Sequence, residues 1–379
     1  MARPAVIAIA ILAGVAAFAA ARAFPEKLSR KMPDLEVYWT AAARAHNAEP
    51  LYRPEDGHYQ FKYLPAFAVL TAPAARVPLD GAKIAWFTIS AMLVVVLLAT
   101  SLSLLPAIAR PAWWLATATL VVMLKFYAHE LILGQMNLLF AVIVGSAVVA
   151  LRRGRESLGG AALALALVVK PYAILFAPWI VARRRAASIA ALGIGTIVLL
   201  TLPAFVYGVA GDVELHRAWW KTVTESTAPN LANADNVSIA AMWAKWIGAG
   251  GLATVLSAAT GAALLATAVF VFVKRNAIQF PEGLEAALLL TSIPLLSPQG
   301  WDYVFLVATP AVMFILNYFT VLPRALRAVS AGALVLIGFT VYDIMGRTAY
   351  STFMMRSVIT VCFFAIVGAL VAIRTRAAA

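Results

Sequence analysis

Residues 33–65 read PDLEVYWTAAARAHNAEPLYRPEDGHYQFKYLP, a run dense in Asp, Glu, Tyr, His and Arg in a chain that is otherwise apolar. It follows Met1–Phe24, which carries one early basic residue, Arg3, and a stretch of about 18 apolar residues, long enough to cross a bilayer. If that stretch crosses, the polar run emerges on the far side of the membrane, over the lipid. A cleaved signal peptide is the competing reading, since Ala-x-Ala patterns occur near residue 20. An uncleaved first span is preferred on length, with the N-terminus in the cytoplasm.

Composition agrees with a membrane assignment. Of 379 residues, 63% are hydrophobic and 12% are charged, and the mean hydropathy is +0.88. Soluble domains average about 25% charged residues, so the chain reads as polytopic and all-α. The net charge of +13 does not indicate nucleic acid. Basic residues gather between apolar segments, as the positive-inside rule expects, and do not alternate with aromatics along a groove. Cys362 is the single cysteine, so no intrachain disulfide and no cysteine metal cluster is available.

Further apolar segments are read at about 84–106, 113–127, 132–151, 189–207, 252–273, 284–296, 303–319, 331–344 and 358–373. Arg152, Arg153 and Arg155 mark a cytoplasmic turn, and Arg183–Arg185 mark another. Between them, residues 158–182 satisfy the rule only as two short helices broken at Lys170-Pro171. Proline removes a helical hydrogen bond and disfavours helix at the preceding residue. A backbone broken at membrane depth is tolerated inside protein or beside a water-filled cavity, so Lys170 is expected at a cavity. The count comes to about 12 spans with both termini cytoplasmic. On this topology only Glu156, Glu282 and Glu285 face the cytoplasm; the other carboxylates lie outside or near outer helix ends. Residues 25–82 and 211–247 form two external loops of a single domain, 1–379, and are candidates to form one roof.

Several short motifs then occur in order. Asp34-Leu35-x-Val37-Tyr38 is followed by Glu49-Pro50-Leu51-Tyr52 and Phe61-x-Tyr63-x-Pro65. Gly134-Gln135-x-Asn137 opens the fourth helix, and Lys170-Pro171 follows Gly159-Gly160. Asn236-x-Ser238 lies in the second external loop, and Ser297-Pro298 with Trp301 closes a late helix. This order resembles the family 87 glycosyltransferases. The resemblance implies a GT-C type fold with external loop helices, a polyprenyl-phosphate sugar as donor, and a bacterial plasma-membrane location. It points to Asp34 as the catalytic carboxylate. One departure stands out: many relatives carry a His shortly after the Ser-Pro…Trp motif, where this chain has Trp301-Asp302-Tyr303. Tyr303 offers only a neutral hydrogen bond there.

The chemistry that the resemblance implies needs few groups. A base takes the proton from the acceptor hydroxyl, and cations or hydrogen-bond donors meet the departing phosphate. Asp34 is the expected base and Lys170 the expected phosphate contact. Tyr38, Arg53, Lys62, Tyr63, His129, Gln135, Asn137, Asn236, Trp301 and Tyr303 are the expected donor or acceptor contacts. No cofactor is required, and a monophosphate leaving group does not demand a metal, although a divalent ion remains compatible. The expected partners are the lipid-linked sugar and a lipid or glycolipid acceptor, with transfer of a hexose, mannose favoured, and inversion at the anomeric carbon.

Plainer readings exist for each residue. Asp34 follows Pro33 and can serve as an N-cap; Lys170 can snorkel to an interface; Gln135 and Asn137 can be packing amides. Glu36 is the nearest rival base, but on a helix it points about 200° away from Asp34. HExxH, Walker A, GxSxG and paired-Cys motifs do not occur in the sequence. A secondary transporter or lipid flippase is the alternative class. It is disfavoured because the two halves show no repeat and the polar mass lies on one face.

Overall fold

The computed structural model describes residues 3–277 and 279–376. The expected cytoplasmic termini, at residues 1–2 and 377–379, lie outside them. Helix is the dominant element and no β-strand occurs among the described residues; one isolated bridge joins Asn236 to Trp301.

Among the described residues five helices are long and apolar enough to cross a membrane: Pro4–Ala23, Leu79–Leu104, Ala112–Leu133, Gly251–Val273 and Val358–Arg376. A sixth crossing results if the Ala186–Thr201 helix is joined to the segment from Ala204, towards which it bends by 90°. The remaining expected segments are all helical but shorter, including Asn137–Arg152, Glu156–Val169 and Asp302–Asn317. Length and composition therefore give five or six crossings where the sequence suggested about 12. Large aliphatic side chains point outward along these helices, with Leu12, Ile194 and Val255 each more than 60% exposed. Such surfaces suit lipid, where exposed apolar side chains carry no penalty.

The chain forms two compact units that exchange within two long helices. One contains the residues up to Val96 and His129–Ser226; the other contains Leu97–Ala128 and the chain from Thr227 onward.

In the first unit, the Glu156–Val169 helix packs between the Asn137–Arg152 and Ala186–Thr201 helices. Two adjacent glycines make this possible. A Cβ on Gly160 would lie 2.3 Å from the Ser188 carbonyl oxygen, and one on Gly159 would lie 2.4 Å from the Leu151 side chain. Close backbone approach through small residues is the usual device for packing helices in lipid. The break expected at Lys170-Pro171 is present. Lys170 is extended (φ −146°, ψ 115°) between Glu156–Val169 and a 3-10 turn, Pro171–Leu175, that leads into Phe176–Ala182. The outer ends of this broken pair meet, because Arg183 donates to both carboxylate oxygens of Glu156 at 3.0 and 3.3 Å. The segment is thus a closed hairpin with its basic residues at one end and Lys170 at the other.

The polar run after the first span folds into the Pro33–His46 helix, a 3-10 turn at Pro54–Tyr59 and the short Pro65–Thr71 helix. Prolines at the first helical position start the helices at Pro33 and Pro65, where their missing N–H costs nothing. The loop is fastened by a bidentate Arg44–Asp56 pair at 2.5 and 2.8 Å. Part of the second polar segment joins it, where Trp219 donates to the Lys62 carbonyl at 3.1 Å, and just before that segment Tyr207 donates to the Glu49 carbonyl at 2.9 Å.

In the second unit, Phe126, Phe305 and Phe363 form an aromatic core, with Phe305 and Phe363 stacked 3.6 Å apart. Glu285, Arg374 and Arg275 form a buried charge network near the chain end, with Arg374 wholly enclosed.

One helix boundary departs from expectation. The third segment does not end near Tyr127 but continues to Leu133, and the next helix begins at Asn137, not Ile132. Gly134 ends the longer helix with a left-handed φ of +71°, a conformation that glycine adopts without penalty. Gly134 and Gln135 therefore form a turn between two helices and do not open the second one.

Candidate active site

Met32 and Gly134 set the geometry. Met32 is fully buried in a left-handed conformation (φ 64°) and its N–H donates to the Ile132 carbonyl at 2.8 Å. Non-glycine residues adopt this region at a cost, and such positions cluster where a chain is held for function. Opposite it, a Cβ on Gly134 would come within 2.8 Å of Leu35 Cβ and 3.0 Å of Met32 Cβ. Only a glycine lets the turn approach the start of the Pro33–His46 helix so closely. The next residue, Gln135, is thereby delivered to Asp34.

Asp34 does not cap its helix. Met32 occupies the N-cap position without a side-chain cap, and Asp34 lies in the first turn. Its carboxylate instead accepts from Gln135 Nε2 at 2.7 Å. A carboxylate only accepts, so this contact fixes the amide orientation and turns Gln135 Oε1 the other way. That oxygen accepts from Tyr38 at 2.8 Å and faces Tyr63 Oη at 3.2 Å and Lys170 Nζ at 3.4 Å. The two tyrosine hydroxyls lie 2.9 Å apart, and Lys170 Nζ stands 4.7 Å from the centre of the Tyr63 ring. Trp86 Nε1 donates to the Gln135 carbonyl at 3.2 Å, and Tyr52 to the Tyr63 carbonyl at 2.7 Å.

Burial raises the Asp34 carboxyl above its ordinary value of 3.8. The Gln135 hydrogen bond and the charges of Lys170, His58 and Lys62 oppose that rise. Burial likewise lowers the Lys62 ammonium, with Asp34 working against it. Asp34 is thus a carboxylate of enhanced basicity, held by one amide and faced by several cations.

The expected residues divide into three groups. Asp34, Tyr38, Tyr63, Gln135 and Lys170 come together as described, with Lys62 in the electrostatic surroundings of Asp34. Arg53 does not reach them, since it pairs with Glu49 at 2.7 Å and donates to the Pro50 carbonyl. His129 is half-buried in the Ala112–Leu133 helix. Asn137 is buried and donates to Glu130 at 2.8 Å. Glu36 confirms the helical geometry: it is exposed and pairs with Lys83 at 3.5 Å, away from Asp34.

Asn236, Trp301 and Tyr303 belong to the second unit. The Asn236 side chain is a clip within that unit. Its Nδ2 donates to the carbonyls of Asn230, Leu231 and Pro298, and its Oδ1 accepts from the N–H of Ser238 and Gly300. That accounts for the Asn-x-Ser and Ser-Pro…Trp motifs structurally, as two halves of one joint. Tyr303 is buried, and so is its neighbour Asp302, whose carboxylate lies 3.0 Å from Lys125.

Glu130 and the Lys125–Asp302 pair escaped the sequence reading. Beside His129, Glu130 reads as lying at an outer helix end, whereas the structure buries it in the last turn of the Ala112–Leu133 helix. Lys125 was hidden inside an apolar run. Among the described residues no group of three or more His, Cys, Asp or Glu is arranged to hold a metal.

Aliphatic surface along the long helices marks a membrane protein, and the Asp34–Gln135–Lys170 cluster is the candidate site that it carries. The model of glycosyltransferase family 87 matches residues 61–298, well over half of the chain. The chain belongs to this family and is a membrane glycosyltransferase. The match includes Lys62, Tyr63, Gln135 and Lys170, whereas Asp34 and Tyr38 precede it. No curated protein and no solved structure matches the chain.

Proposed function

We propose that the protein transfers a hexose, with mannose favoured, from a polyprenyl-phosphate donor to a lipid or glycolipid acceptor on the outer face of a bacterial plasma membrane. Asp34 is the general base. In the transfer the acceptor oxygen attacks the anomeric carbon from the face opposite the phosphate. The bond to the phosphate oxygen breaks, the hydroxyl proton passes to Asp34, and the configuration inverts.

The observation that carries this reading is the Asp34–Gln135 hydrogen bond with Lys170 on the far side of the amide. A base works best when its pKa rises towards the working pH, and burial moves Asp34 in that direction. Lys170 supplies a cation beside the amide, and the Tyr38 and Tyr63 hydroxyls hold that amide in place through Gln135 Oε1. Positive groups and donors aimed at a departing phosphate stabilise the charge that develops there. The external location rests on the distribution of basic residues and on the closed hairpin, whose Arg183 end lies opposite Lys170.

The test is transfer in membranes or detergent, with radiolabelled polyprenyl-phosphate hexoses in one arm and nucleotide-linked hexoses in the other. Transfer from the lipid-linked donor that is lost in Asp34→Asn is expected. Transfer from the nucleotide sugar alone would overturn the donor assignment.

A further inference from the structure

We infer that Glu130 is a positioning residue for the Asp34–Gln135 pair, a role that rests on Asp34 being the base. Glu130 lies in the last turn of the Ala112–Leu133 helix and is completely buried. Its main-chain oxygen accepts from the N–H of Gly134 at 2.9 Å and of Gln135 at 3.1 Å. Its side chain reaches over the same turn, where Oε2 accepts from Asn137 Nδ2 at 2.8 Å and Oε1 from the Leu138 N–H at 2.9 Å. One residue therefore ties the end of one helix to the start of the next and fixes the turn that carries Gln135.

A turn of this kind needs acceptors but not a charge, and a buried carboxylate is costly unless compensated. Lys170 supplies the compensation, since it feels the charges of both Glu130 and Asp34. The groups acting on Asp34 are then Gln135, Lys170, His58 and Lys62. Glu130 acts indirectly: its charge favours the ammonium form of Lys170, the cation that in turn stabilises the Asp34 anion. The clamp thus sets both where Gln135 points and how basic Asp34 is.

Glu130→Gln separates the two effects. A glutamine accepts from one of the two donors but turns its own NH₂ towards the other, and Lys170 loses a charge that favours its ammonium form. Adding Asn137→Asp restores the pattern, because the new amide then donates to the new carboxylate and the negative charge returns across the same contact, on the next helix. Transfer kinetics across pH would be measured for wild type, Glu130→Gln, and Glu130→Gln with Asn137→Asp. Carbodiimide labelling of Asp34 against pH, read by mass spectrometry, reports its protonation without requiring turnover.

The single variant is expected to lose about 10²-fold in kcat, the scale of a small misplacement, with donor KM little changed. Its Asp34 labelling midpoint should move to higher pH, as Lys170 holds its proton less firmly, and the double variant should recover most of both. Wild-type kcat and midpoint in Glu130→Gln would overturn the inference, and so would lost kcat with an unmoved midpoint and no recovery in the double variant. If the single variant does not fold, the double variant decides: folded and active supports the clamp, folded and inactive refutes it. Absence of transfer by the wild type would sink the proposed function, and the labelling midpoints would still decide the role of Glu130.

Discussion

Replacing Asp34 by asparagine separates catalysis from folding. An asparagine Oδ1 can still accept from Gln135 Nε2, so the 2.7 Å contact survives as a neutral hydrogen bond. The change from charge-assisted to neutral costs roughly 1 kcal/mol. Against this stands the removal of a charge that the fold disfavours. Burial raises the folded pKa above the unfolded value, so the folded state binds more protons than the unfolded chain between the two. Stability contributed by protonated Asp34 is fully present below the unfolded pKa and is lost as pH rises through the folded one. At neutral pH the ionised carboxylate is therefore a net cost, and Asp34→Asn relieves it.

The expected outcome is an inactive protein that is no less stable than wild type. Loss of a general base lowers kcat by about 10²–10⁴-fold, or about 2.7–5.4 kcal/mol in the barrier. The assay pairs transfer from polyprenyl-phosphate hexose with thermal unfolding in the same detergent at pH 7. The stability advantage of the variant should shrink as the pH is lowered and wild-type Asp34 takes up its proton. Full activity in Asp34→Asn would refute the base assignment. Lost activity together with a fall of several degrees in Tm would refute the reasoning, because misfolding would then explain the loss.

Other perturbations test the surroundings of the carboxylate. Lys170→Met removes a cation that lowers the Asp34 pKa, so the acid limb of kcat/KM should move to higher pH and donor KM should rise; an unchanged limb would contradict the electrostatic coupling. Gln135→Glu brings a second carboxylate against Asp34, and like charges at that distance cannot both ionise; activity should survive only at higher pH, as a pH–rate profile would record. Gly134→Ala combines a left-handed φ with a Cβ that would lie 2.8 Å from Leu35 Cβ. About 1–3 kcal/mol of destabilisation is expected from thermal or denaturant unfolding, with activity lost as Gln135 withdraws. A reporter inserted after Arg155 should read cytoplasmic, and a periplasmic reading would break the proposed orientation.

The legible part of the fold was its apolar periodicity and its punctuation. Hydrophobic runs marked the helices because lipid leaves little freedom in what can cross it, and Pro171 marked the break at Lys170 for a local steric reason. The end of the helix at Leu133 was less legible. Residues 128–133 are mixed in character, and in the sequence the glycine that ends the helix reads as the opening of the next one. That one difference moves Glu130 from an outer helix end to a completely buried position. Asn236 shows the opposite failure: a polar residue in a motif looked like a ligand contact and is a joint whose amide is committed to backbone. Sequence spacing carries no information on which partner a polar side chain finds across the fold.

The Asp34 site is built where local rules are broken together. Met32 is left-handed without being glycine, Gly134 is left-handed at a helix end, and Lys170 is extended between helical segments. Each break lies next to a residue of the constellation, on a different element. A helix or strand presents side chains at fixed spacing along one direction, whereas a base, an amide and a cation must converge on one point from different directions. Turns and helix ends provide that convergence, and the strain they carry is held by packing that Gly134 alone permits against Leu35 and Met32. If this is the organising logic, restoring regular geometry at any one of the three positions should cost activity well before it costs folding. Pro171→Ala is the direct case: it removes the steric reason for the break at Lys170, so that the Glu156–Val169 helix can extend and swing Lys170 away from Gln135.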